Sequence, residues 1–250
     1  MKKRYSICFW VILTILLVTG CGQPSTNKSP DSINTQNQHR DQQPEALTVR
    51  LDSKTVAIPI SKIDSVKKYL DQFDSKERAN ELKRIETTTF TSASGIIYSD
   101  IRYGCGMKLC DHTFLQIKNN HIKSLPLHSG SIFMEHTFSP DDNYLALLLG
   151  RNEGTDVMRH SVMMIELDSF TLAELKNTDE FIKLTSSDFS VPILSISWEN
   201  ETTLKAVLPD TKDYTFDTLK SWNAGENKTK EISLIINTEG KHPSQNMIVD

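Results

Sequence analysis

TFSPDDNYLALLLG, residues 137–150, joins a polar turn signal to an almost unbroken apolar run. Pro140 presets φ for the second turn position, and Asp141 and Asn143 carry short polar side chains that bond neighbouring backbone groups. The stretch therefore specifies a bend followed by a strand, with turn residues bounding the apolar segment on its N-terminal side. Strand-like runs of this kind recur from Thr87 to the C-terminus: SGIIYSDIRYG, HTFLQIKNNHIKSLPL, SIFMEHTF, SVMMIELDSFTLAEL, VPILSISW, TTLKAVLPD and KEISLIINTEG. Asn119-Asn120, between two of them, reads as a hairpin turn.

Working outward, HSVMMIELDSFTLAEL (160–175) continues the opening stretch as a strand, a short polar turn and a second strand. About 58 residues after the first bend, SISWENETTLKAVLPD (195–210) repeats its order of aromatic or aliphatic residue, Ser, polar turn and apolar strand. Phe138-Ser139-Pro140-Asp141-Asp142-Asn143-Tyr144-Leu145-Ala146 and Ile165-Glu166-Leu167-Asp168 resemble the blade motif of WD40- and TolB-type β-propellers, a Ser-Pro-Asp-Gly-like turn before an apolar strand and a strand ending in Asp. Asp142-Asn143 departs from the Asp-Gly of that pattern, and the second copy lacks the Pro. The residues from Thr87 hold about three blade-sized units, whereas closed propellers have four to eight blades. The resemblance thus implies a partial propeller, beside which an antiparallel sandwich stays open.

Ahead of this region, LTVRLDSKTVAIPI (47–60) alternates Val56, Ile58 and Ile60 on one face, with Asp52-Ser53-Lys54 as the turn of a strand pair. Ser61-Lys62-Ile63-Asp64 fits a capping box, and Ile63, Val66, Leu70 and Phe73 follow as the stripe of an amphipathic helix. Ser75 is placed to cap a second helix carrying Ala79, Leu82 and Ile85, and no comparable helix is expected after Thr87. The expected fold class is mainly β with a small N-terminal helical segment (α+β), its antiparallel sheets arranged as a partial propeller-like or sandwich structure.

The N-terminus has the three parts of an export signal: Lys2-Lys3-Arg4, an apolar stretch over 7–18, and small residues before Cys21. Val18-Thr19-Gly20-Cys21 resembles the lipobox of bacterial lipoproteins. That resemblance implies cleavage before Cys21 and attachment of a diacylglyceryl group to its sulfur, and several acyl chains on one residue hold a protein on a bilayer where a single myristoyl does not. Residues 22–45 offer almost nothing apolar to bury and read as a flexible tether with a reach on the order of 25–30 Å. The organisation is then a signal peptide over 1–20, a tether over 21–46, a strand pair with two helices over 47–86, and an antiparallel β region over 87–250. The formal charge of −4, less the three positive charges of Lys2, Lys3 and Arg4, becomes −7 in a processed chain. Such a chain lacks the basic stripe that nucleic acid requires.

Cys105 and Cys110 are the remaining cysteines beyond Cys8 and Cys21. On the oxidising side of a membrane a close pair is most simply a disulfide, here at a hairpin tip, with a redox pair or a metal site completed by His112 as the sharper alternatives. The pair lacks the Cys-x-x-Cys of a redox helix and the paired ligands of structural zinc. His112, His121, His128, His136 and His160 are dispersed and read as partly exposed sheet residues. Met107, Met134, Met158, Met163 and Met164 raise a soft-metal site, but Met163 and Met164 are adjacent and so point to opposite faces of a strand. RNEGTD (151–156) lacks the alternating carboxylates of a calcium loop, and HSGS (128–131) places a Ser beside a His without the geometry a base needs.

These patterns call for no cofactor and single out no catalytic residue, so the balance falls toward a non-enzyme. The expected protein is a non-catalytic binding or scaffolding lipoprotein on the extracytoplasmic side of the cell membrane. Its partners are the membrane, through lipidated Cys21, and an envelope protein. Gly22 does not separate a Gram-positive membrane from an outer membrane, while the Lys, Ile and Asn-rich texture leans toward the former. A surface hydrolase acting on wall polymer, peptide or ester, and a solute-binding lipoprotein, stand as the alternatives.

Overall fold

The computed structural model describes residues 45–51, 54–176, 178–225 and 227–239, all within one compact unit, Gln42–Asp250. The signal peptide, the lipobox with Cys21, most of the tether, and the turn at Asp52 and Ser53 lie outside the described residues. Among the described residues no helix is long and apolar enough to cross a membrane.

The apolar run that opened the sequence forms the centre of the fold. It lies in β8 (Tyr144–Glu153), which pairs antiparallel with β7 (Ile132–Phe138) on one side and β9 (Val157–Glu166) on the other; β10 (Thr171–Leu172) completes this sheet. Alternate residues of a strand point to opposite faces, and here both faces are covered. Leu145, Leu147 and Leu149, each fully buried, enter one core with Met163 and Ile165. Ala146 and Leu148 enter another with Val162 and Met164. A strand buried on both sides needs apolar residues at successive positions, which is why this segment shows no polar alternation. Each such leucine contributes about 1.5–3 kcal/mol by leaving water.

Two further sheets form those cores. β3 (Glu86–Thr91), β4 (Ile97–Tyr103), β5 (Asp111–Lys118) and β6 (His121–Pro126) make an up-and-down sheet whose Tyr98 and Phe114 meet the Leu145 face. β11 (Ser195–Asn200), β12 (Thr203–Pro209) and β13 (Thr229–Ile235) make a three-stranded sheet whose Ile196, Leu204, Ala206, Leu208 and Leu234 meet the Ala146 face. Side-chain bonds to backbone carbonyls also cross between sheets: Gln116 donates to Leu167 O at 2.8 Å, and the Trp198 indole donates to Thr137 O at 3.1 Å. The hairpin β1 (Ala46–Leu51) and β2 (Lys54–Pro59), with α1 (Asp64–Leu70), covers the outer face of the β3–β6 sheet through Val49, Ile58, Ile63, Val66 and Leu70. Among the described residues the fold is therefore mainly β: four antiparallel sheets and a few helices, sandwich-like, with no closed ring.

Both turn readings hold. Asn119 and Asn120 have φ of 50° and 64°, the left-handed pair that closes a two-residue hairpin between β5 and β6. In the bend before β8, the Ser139 hydroxyl donates to Asp141 at 2.6 Å and accepts from Tyr144 N at 2.9 Å, while Asp142 N donates to Ser139 O at 2.9 Å. Asp142 stands at φ 57°, a left-handed position that glycine occupies at less cost. The two sequence copies are both hairpins, β7–β8 and β11–β12.

The helices required correction. Ser61 does not cap: residues Ile60–Lys62 form a 3-10 turn, and α1 starts from Ile63 without a side-chain cap. The second helix, α2 (Ser75–Arg84), is capped by Asp74, which accepts from Lys76 N and Glu77 N at 2.9 Å each. Its Ala79 is exposed, and only Leu82 and Ile85 lean on the core. Two helices stand where none was expected, α3 (Asp179–Thr185) and α4 (Phe216–Asn223), capped by Thr178 and Thr215. Each buries only one or two residues, Phe181 and Leu184 in α3 and Leu219 in α4, too few for a helical period to show in the sequence.

Candidate functional site

Cys105 and Cys110 stand at the tip of the β4–β5 hairpin with their sulfurs at disulfide distance, 2.09 Å. The tip is tied down by Gly106 N donating to Leu109 O at 2.9 Å and by a two-way backbone pairing of Cys110 with Ser131. His112 does not complete a cysteine site. It is buried at 1 % exposure, with Nδ1 2.9 and 3.1 Å from the two Asp100 carboxylate oxygens and Nε2 3.0 Å from Ser131 O. Both ring nitrogens are committed, so the imidazole is a fixed part of the interior. Among the described residues no group of three or more His, Cys, Asp or Glu could hold a metal ion.

The reading of all five histidines as partly exposed fails at His112 and His160, which the sheets bury. His160 accepts a hydrogen bond at Nδ1 from Ile193 N, 2.9 Å, and burial pushes its pKa down to about 4. His136 stacks on Phe90 with ring centroids 3.6 Å apart, and burial lowers its pKa as well. The Ser beside a His that matters spatially is not in HSGS. His128 Nδ1 lies 3.0 Å from the Ser161 hydroxyl, thirty-three residues away, and burial followed by the charge of Arg151 lowers the His128 pKa. Ser161 is fully buried, so no substrate can reach its oxygen. HSGS itself is structural: Ser129 donates to the Asp111 carboxylate, and Arg151 donates to Gly130 O at 2.9 Å and Ser129 O at 2.8 Å. Met163 and Met164 enter opposite cores, as their adjacency implied.

Open to solvent instead is a pocket of about 460 Å³ at one end of the three-stranded sheet, between α3, the segment from β12 to α4, and β13. Its size falls within the range of small-molecule sites. Leu184, Val191, Leu208 and Ile232 continue the Ala146-side core into its floor. Lys183, Lys212 and Lys230 stand on its walls with Glu180, Asp213 and Tyr214. Asp213 is spoken for within its own turn: Thr215 donates to it from backbone N at 3.1 Å and from Oγ1 at 2.8 Å, and Lys212 stands 3.9 Å away. Hydrogen bonds from Thr218 and Thr215 hold its pKa down at about 2. Lys183 and Lys230 have no carboxylate within 4.0 Å among the described residues; the Lys230 ammonium lies 5.7 Å from the Tyr214 ring centroid. Sequence reasoning missed this site because its residues come from three distant segments, two of them bound to helices too short to announce themselves.

The fold and pocket together define a mainly β protein of stacked antiparallel sheets with an open, lysine-bearing, apolar-floored cavity. Compared with family models, curated proteins and solved structures, the chain matches none.

Proposed function

We propose that this chain is an exported bacterial lipoprotein, held by a lipidated Cys21 on the extracytoplasmic side of the cell membrane, whose β domain is a non-catalytic binding or scaffolding module at the envelope. The observation that carries the binding role is a contrast of access. Asp100 with His112 is buried, and Ser161 is buried beneath a half-buried His128, whereas the open cavity is lined by groups suited to holding a ligand. The register of Lys2-Lys3-Arg4, the apolar run and Val18-Thr19-Gly20-Cys21 supports the anchor. A disulfide between Cys105 and Cys110 accords with that compartment.

Cys21→Ala tests the anchor: lipid attachment and cleavage should both fail, and an unchanged processed size and membrane fraction would refute it. Intact-protein mass spectrometry of freshly exported chain, with and without reductant, should differ by about 2 Da for one disulfide. Labelling of intact cells with a serine-reactive probe separates binding from hydrolysis, and a covalent adduct on Ser161 would overturn the binding role. Crosslinking on cells then identifies the envelope partner.

A further inference from the structure

The cavity beside α3 has two parts of different chemistry. Its floor is apolar and continuous with the core, formed by Leu184, Val191 and Leu208, all buried at 3 % exposure or less, with Ile232 at its edge. Its walls set three ammoniums, Lys183, Lys212 and Lys230, against two carboxylates, Glu180 and Asp213; Asp213 is engaged by Thr215 and Lys212, and neither Lys183 nor Lys230 has a carboxylate within 4.0 Å among the described residues, so one positive charge stands in excess. A neutral apolar ligand would leave those ammoniums desolvated without a partner, and a hydrophilic anion would leave the half-buried Ile232 and the Tyr214 ring in contact with water. A cation would meet like charge.

Resting on the binding-module reading, we infer that this cavity takes a small amphipathic anion, its apolar body against Ile232 and the Tyr214 ring above the buried Leu184, Val191 and Leu208, and its carboxylate or phosphate between Lys183 and Lys230. The lysines keep their aliphatic stems along the apolar wall and present their charges at the mouth. The ligand therefore enters tail first, with its head group left near solvent.

The test uses membrane vesicles carrying the full chain and a photoreactive octanoate with a mid-chain diazirine, its adducts mapped by mass spectrometry. Adducts are expected within 180–191, 208–214 or 230–232. Excess octanoate or octyl phosphate should displace the probe, and their ranking tells carboxylate from phosphate; octanol and octylammonium should not displace it. Lys183→Gln with Lys230→Gln, both in the cavity lining, should reduce labelling by about tenfold or more. Equal displacement by octanol, adducts only elsewhere, no adducts, or full labelling of the double variant would each overturn the inference. Processed size and membrane fraction are read on the same samples. Failed labelling of a chain still held on the membrane counts against the ligand class, and loss of the membrane hold counts against the anchor.

Discussion

Acid should destabilise this domain through His160. The imidazole sits on β9 beneath the segment that leads into β11, at 8 % exposure, with Nδ1 accepting from Ile193 N. Burial penalises a charge on the ring and pushes the folded-state pKa down to about 4, and protonation would also set an N–H against that backbone N–H. The unfolded chain titrates this group near 6.5, so between about 6.5 and 4 the unfolded state binds more protons and stability falls as pH falls. The full difference is about 3 kcal/mol, of which about 2 kcal/mol is lost between pH 7.5 and 5.0. For a domain of this size that corresponds to roughly 4–8 °C in Tm. His160→Gln keeps an acceptor for Ile193 N and cannot titrate. Urea unfolding of the wild type and this variant at pH 7.5, 6.5, 5.5 and 5.0 isolates the contribution, because His128 and His136, whose pKa values burial also lowers, are present in both chains. The gap between the two curves should change by about 2 kcal/mol across that range. Curves that stay parallel to within about 0.5 kcal/mol would refute the assignment.

Asp100→Ala leaves the His112 Nδ1 without a partner and should cost about 3–5 kcal/mol in urea unfolding, while Asp100→Leu with His112→Phe should recover much of that loss. A single-variant cost below about 1 kcal/mol would contradict the pairing. At Gly150 an added methyl would stand 2.9 Å from the Met158 sulfur and 3.2 Å from the Met134 sulfur. Gly150→Ala should therefore lower stability by about 1 kcal/mol, since both thioethers can swing aside, and Met134→Ala should relieve it in a double-mutant cycle. Asp142→Val, at a left-handed position, should cost about 1–2 kcal/mol by thermal unfolding, whereas Asp142→Gly should match or exceed the wild type.

Much of the β architecture was legible because its signals are local. The polar bend at Ser139-Pro140-Asp141, the Asn119-Asn120 hairpin and the alternation around Val56 and Ile58 each follow from residues a few positions apart, and the structure keeps all three. The stripe Ile63, Val66 and Leu70 likewise enters a core. The cap was misplaced because two adjacent positions, Asp74 and Ser75, can each accept from a helix N-terminus, and only backbone geometry selects between them. α3 and α4 were invisible for the reason that also hid the cavity: with one or two buried residues each, they are held by contacts from other parts of the chain and not by a period of their own.

The chain's own letters sufficed for strands, turns and an antiparallel mainly β class, since each rests on side-chain type at short spacing. Which faces became cores was a tertiary matter. LALLL could announce a buried strand, yet only the stacking of a sheet on either side shows that Leu147 and Leu148 belong to different interiors. Asp100 meets His112, Ser161 meets His128, and Lys183 and Lys230 come to line one cavity by the same route. Such juxtapositions depend on how separate sheets close on one another, and neighbouring residues carry no record of that.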